Sequence, residues 1–259
     1  MDKYEYKITL QELNALIGER RFDEAARLAD TVDWNKVKTI KTLCMVSDVY
    51  KINREYEKAR SVMKVALRRL QIMPQPDTRE QQEEFERNQA LVIYNLCELT
   101  IFLYGRNNLQ SDLASALTLV QEYSQIQPEN PKRLVLQYKM YQVSPVSMNE
   151  KIAILEKLRQ EKHTQRWGYE LALLYHQAGR DEDAVKECLD ITAQFSGKYA
   201  NKAADLLDEI QGSIPETSAD TQDHLQQNVA EGMRDIYRGG NDAPQEPVTE
   251  PSPEPEADA

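Results

Sequence analysis

The segment Phe22-Asp23-Glu24-Ala25 returns 34 residues later as Tyr56-Glu57-Lys58-Ala59. A period of that length holds two helices and two short turns but no sheet layer, so each unit must bury its apolar face against the next. The same interval recurs far along the chain, where Tyr175 precedes Ala184 by nine positions, as Tyr50 precedes Ala59. Apolar residues fall at helical spacing throughout. Leu10, Leu13, Leu16 and Ile17 share one helix face, and Ala25, Leu28, Ala29 and Val32 the next. Leu43, Val46, Val49 and Tyr50 mark a third helix, and Ala59, Val62, Met63, Ala66, Leu67 and Leu70 a fourth. Leu91–Leu103 is apolar on most sides, and further helical patterns occupy 113–126, 134–141, 152–158, 169–175, 184–195 and 199–210. Ser147 with Glu150 has the form of a capping box. The first 211 residues hold five Gly and five Pro, too few turn formers for a sandwich or a doubly wound sheet. The expected fold class is all-α.

These positions resemble the tetratricopeptide-repeat (TPR) pattern W-x2-L-G-x2-Y, then A-x3-F, then P. Leu43, Val46, Ser47, Tyr50, Ala59 and Met63 occupy its places in the second repeat, and Leu171, Ala172, Tyr175, Ala184 and Cys188 in a late one, where Gly179 closes the first helix. Ala116, Val120 and Pro128 keep the offsets in the third, Ala25 and Ala29 in the first, and Tyr138–Leu158 fits worst. The resemblance implies an α-solenoid of about five helix-turn-helix repeats closed by a capping helix, Tyr199–Gln211. Small residues, Ser47 or Ala172 against Ala59 or Ala184, let paired helices approach closely. Ala59 to Ala184 spans 125 residues, 23 more than three periods. Loops are expected at 71–88, 105–112 and 142–148, with 75–88 alternatively extending the next helix.

Charge is divided along the chain. Of the net −11, −9 lies from Ser213 onward and −2 in the first 212 residues. Three segments follow: a solenoid over 1–212, a linker with an amphipathic helix over 213–240 (Leu225, Val229, Met233, Ile236), and a disordered acidic Pro-rich tail over 241–259. The amphipathic helix either caps the last repeat or docks elsewhere. Between Lys36 and Arg69, ten Lys/Arg face three acidic residues. Within that stretch Lys58, Arg60, Lys64, Arg68 and Arg69 are expected as a basic patch. It is either a solvated face or a dock for an acidic segment, the protein's own tail included. An acidic chain without an overall basic face argues against nucleic acid and anionic membrane. No apolar run is long enough to cross a bilayer, no secretory signal opens the sequence, and three Cys without a CxxC fit a reducing, cytoplasmic setting.

No catalytic or phosphate-binding motif is present. His163, His176 and His224 share no metal-ligand spacing, and Cys44, Cys97 and Cys188 sit in apolar helical patterns. Asp181-Glu182-Asp183 opens a helix, where carboxylates suit the positive end of its dipole. No cofactor, metal or catalytic residue is therefore expected. The resemblance implies a groove lined by first helices: Lys7, Leu10 and Asn14; Lys41, Cys44, Asp48 and Lys51; Arg166, Tyr169, Leu173 and His176. Leu10 and Cys44 stand where a clamp for a peptide's terminal carboxylate would need Lys or Asn. The functional expectation is a non-enzymatic scaffold or adaptor binding protein or peptide segments, including acidic ones. The alternatives are a ligand- or peptide-sensing regulator of the TPR type and a regulatory subunit of an enzyme complex.

Overall fold

A computed structural model describes residues 3–74, 76–161 and 164–213. Backbone contacts set Met1–Ile210 apart as one unit, and the helix stack belongs to it. The expected helix at 225–236, the tail, His163 and His224 lie outside the described residues.

Five helix pairs follow one another: α1 (Lys3–Gly18) with α2 (Phe22–Ala29), α3 (Ile40–Ile52) with α4 (Tyr56–Gln71), α5 (Arg79–Asn107) with α6 (Gln110–Ile126), α7 (Lys132–Val143) with α8 (Met148–Glu161), and α9 (Gln165–Gln177) with α10 (Asp181–Gln194). The last described helix, α11 (Lys198–Ser213), closes the described stack, and a 3-10 turn, Trp34–Lys36, sits between the first two pairs. No strand occurs among the described residues, and no described helix is long and apolar enough to cross a membrane.

Small residues set the closest crossings. Ser47, Ala59, Ala172 and Ala184 are all essentially buried, and Ser47 Oγ donates to the Ala59 carbonyl at 3.3 Å. In the third pair Cys97 Sγ approaches the Ala116 carbonyl at 4.0 Å. The first helix of pairs one, two and five ends in one common way. A residue with positive φ follows the last turn, and the next amide reaches back five residues: Arg21 to Leu16, Glu55 to Tyr50 and Arg180 to Tyr175, at 2.8–2.9 Å. Gly179 takes this conformation freely at φ +73, whereas Arg20 and Arg54 adopt it at +59 and +62 against steric resistance.

All three expected loops are shorter than the sequence suggests. Residues 79–88 extend α5 rather than forming a loop. Thr78 caps that helix by accepting from the Gln81 amide at 3.2 Å, while Gln81 Oε1 accepts from the Asp77 amide at 3.0 Å. Between α5 and α6 only residues 108 and 109 are non-helical, because Asn108 turns the chain in the left-handed region at φ +53. The 142–148 connection shrinks to residues 144–147, fixed by the capping box: Glu150 accepts from the Ser147 amide at 3.1 Å and donates its own amide to Ser147 Oγ at 3.3 Å.

The buried side chains form two clusters that meet at α7. One runs from Leu13 to Met140 and the other from Leu134 to Ile210. Leu136 and Met140 face the first; Leu134 and Tyr138 face the second. Each couple is spaced one turn apart, and the two stripes lie on nearly opposite sides of the helix. Gly105 of α5 meets this helix closely: a Cβ added there would lie 2.8 Å from Val143 Cγ1. Buried ion pairs tie neighbouring units, Arg60 of α4 to Asp112 of α6 at 2.6 Å and Arg159 of α8 to Glu187 of α10 at 3.1 Å.

Candidate binding wall on the first helices

Successive first helices touch through their side chains. Lys51 of α3 donates to Asn95 Oδ1 of α5 at 3.2 Å. Glu98 of α5 pairs with Lys139 of α7 and accepts from Tyr94 OH at 3.0 Å. Tyr138 of α7 donates to Glu170 of α9 at 3.1 Å. Tyr169 of α9 lies against Tyr199 of α11, with ring centroids 6.0 Å apart, and Lys202 stands 5.4 Å over the Tyr169 ring. The result is a wall, five helices long, on which carboxylates, ammonium groups and aromatic rings alternate. Because helical residues three and four apart share a face, Leu91, Asn95, Glu98 and Phe102 form one stripe on α5. Leu91 and Phe102 at its ends are exposed.

Electrostatics along the wall are balanced locally. Asp48 pairs with Lys51 at 2.6 Å and Arg166 approaches Glu170 at 4.0 Å. Burial, with Glu98 and Glu170 as anionic acceptors, pushes the Tyr94 and Tyr138 hydroxyls well above the usual phenol range, so both remain donors at neutral pH.

The residues expected to line a groove fall in different settings. Lys7, Asn14, Lys41, Asp48 and Arg166 are exposed, and Leu10, Lys51, Tyr169 and Leu173 are half-buried. Cys44 is buried at 9% exposure, and burial raises its thiol to about 11. Cys97 and Cys188 are buried too, with thiols pushed up to about 12. His176 points to its own turn, where Nδ1 meets Asp181 Oδ1 at 2.6 Å.

Asn95, Glu98, Phe102, Lys139 and Tyr138 were not singled out from the sequence, which placed no groove residue in the third or fourth repeat. The Thr78-to-Gln81 capping signal would have fixed where α5 begins and pointed to them. Among the described residues, no group of three or more His, Cys, Asp or Glu is arranged to hold a metal ion.

The basic patch divides between the two ends of α4. At the start of α4, Lys58 binds Asp30 and Glu55, and Arg60 binds Glu57 and Asp112. At its far end Arg68 and Arg69 meet the loop before α3. Lys64, one turn before Arg68, is exposed. The five residues are thus not one uniform stripe, because two of them are neutralised by carboxylates of their own and neighbouring pairs.

No protein-family model and no curated protein matches the sequence. Solved structures do. A thermophilic TPR protein of Thermus thermophilus aligns over 80% of this chain and 97% of its own, with a TM-score of 0.50 at 16% identity. MamA (residues 41 to the end) of Desulfovibrio magneticus RS-1 aligns over 73% and 97%, with a TM-score of 0.48 at 11% identity. YrrB, a TPR protein with an unusual peptide-binding site, aligns over 76% and 90%, with a TM-score of 0.47 at 13% identity. At such identities the likeness concerns fold. The Thermus thermophilus alignment, taken with the five helix pairs, their small-residue crossings and the closing helix, gives the described residues the fold of a tetratricopeptide-repeat-like α-solenoid.

Proposed function

We propose that the protein is a non-enzymatic interaction scaffold that binds peptide segments of other proteins along the wall of its first helices. The observation that carries this reading is the succession of side-chain contacts from Lys51 through Asn95, Glu98, Lys139, Tyr138 and Glu170. Neighbouring side chains already hold these groups in place, so little rotamer entropy is lost when a partner binds. Hydrogen-bonding groups fix a peptide's orientation, while Leu91, Phe102 and Tyr169 offer apolar contact. A segment spanning two or three repeats would bind with roughly micromolar affinity.

Selection of random peptides on the intact protein, followed by calorimetry, tests this. Single reversals, Glu98→Lys or Lys139→Glu, are expected to weaken a selected peptide by about tenfold, since each leaves its former partner facing a like charge. A reversal on a second helix, Lys157→Glu, should change affinity less than twofold. If selected peptides ignore the α5 and α7 variants but fail on second-helix variants, the wall is not the site.

A further inference from the structure

The loop between the first two pairs carries a concentration of positive charge that the fold holds without neutralising. Arg69 donates from Nε to the Val37 carbonyl at 3.1 Å and from Nη2 to the Asn35 carbonyl; Arg68 donates to Asn35 Oδ1 at 3.3 Å. Every other arginine held by a described side-chain hydrogen bond has a carboxylate among its partners. Here the partners are neutral oxygens, so two oriented guanidinium groups keep their whole charge. Lys36 lies between the two accepting residues in sequence and Lys38 directly follows them, and exposed Lys64 stands one turn from Arg68. Among the described residues, the one carboxylate within ion-pair range of this group is Asp33, 3.6 Å from Lys36. Like charges gathered this way repel and weaken the folded state unless an anion joins them.

We propose that this rim is a second binding site, separate from the first-helix wall, for an acidic peptide segment of a partner protein. Arginine forks pair carboxylates in two-point fashion, and here their orientation is set in advance. A carboxylate peptide fits better than nucleic acid because the positive field is local. With −2 over residues 1–212 and +7 within 36–69, the rest of those residues carries −9. A long phosphate chain leaving the rim would meet that negative surface, whereas a short acidic segment ends before it.

Fluorescence anisotropy on the full chain tests the site with a labelled peptide of alternating Glu and Ser, the matching Gln and Ser peptide, and a single-stranded oligonucleotide. The acidic peptide is expected to bind, and to weaken about tenfold between about 50 and about 300 mM salt. Lys64→Glu with Arg68→Glu should weaken it by a further factor of about ten. Lys157→Glu with Lys186→Glu makes the same charge change on α8 and α10 and should alter binding less than twofold. Absence of binding to the wild-type chain overturns the proposal. So does equal binding of the Gln peptide, equal loss in both double variants, or tighter binding of the oligonucleotide. Lys139→Glu, on the wall, should leave this peptide's affinity unchanged, which separates failure here from failure of the first site.

Discussion

The second and fourth helix pairs perform the same structural task by different means. In the second, Ser47 and Ala59 make the crossing tight, and the fourth residue of the second helix is an alanine with no exposed surface. In the fourth pair the corresponding residue of α8 is Lys151, only partly buried. Its partner α7 is instead fixed by burial on two sides, Leu136 and Met140 in one core and Leu134 and Tyr138 in the other. The repeat pattern therefore records a close crossing of paired helices rather than the fold as such. Where a helix is clamped between two cores, the pattern is no longer required and the stack continues without it.

That contrast can be broken most forcefully at α7. Leu136→Ala is expected to cost about 2–5 kcal/mol in urea denaturation, because Leu136 has no exposed surface and neighbours on a shared helix cannot collapse onto the gap. Gly105→Ala belongs beside it: the added methyl must push aside branched Val143, at about 1–3 kcal/mol. In the second and fifth pairs the sensitive change is an enlargement. Ala59→Leu and Ala184→Leu should each cost about 1–3 kcal/mol by overpacking the crossing, whereas Lys151→Leu should leave the midpoint nearly unchanged. Equal losses at all three positions would mean that the pairs cross alike.

A smaller effect runs the other way. Arg54 holds a left-handed conformation that Gly179 holds without strain, so Arg54→Gly should raise stability by about 0.5–1 kcal/mol despite glycine's extra freedom when unfolded. The smallest expected effect is on pH dependence. Burial pushes the Asp30 carboxyl up, but hydrogen bonds from Lys58 and Tyr50 outweigh it, and the group titrates below its ordinary value of 3.8. Its contribution is complete above that value and fades as pH falls through the lower folded one. Asp30→Asn should lower stability by its full, small amount above about pH 5 and by progressively less below about pH 4, which flattens the acid limb.

Much of this was legible in the sequence, and the residues say why. Ala25, Ala59 and Ala184 each stand fourth in a second helix, so three pairs carried their own spacing. In α7, expected as a helix over 134–141, burial at 134, 136, 138 and 140 gives a spacing of two because the helix packs on both sides, and this hides its place in the repeat pattern rather than the helix itself. Length misled at α5, where a polar stretch rich in Gln, Glu and Arg reads equally as loop; its Thr78 cap settles the matter locally. For the wall, pairs one, two and five supplied candidates, but the third and fourth, whose Glu98 and Lys139 join its halves, lacked a fixed register. Charge was legible along the chain but not in its pairing, since only contacts separate Lys58 and Arg60 from Arg68 and Arg69.

Two tryptophans permit the most direct test of a continuous stack joined through α7. Trp34 is buried in the first core and Trp167 in the second. Urea unfolding followed by fluorescence in Trp34→Phe, which leaves Trp167 as reporter, and in Trp167→Phe, which leaves Trp34, watches one core at a time. If α7 couples the cores, both should report a common denaturant slope, and adding Leu136→Ala to each should lower the two midpoints together. Two well-separated transitions, with Leu136→Ala moving only the one reported by Trp34, would contradict it.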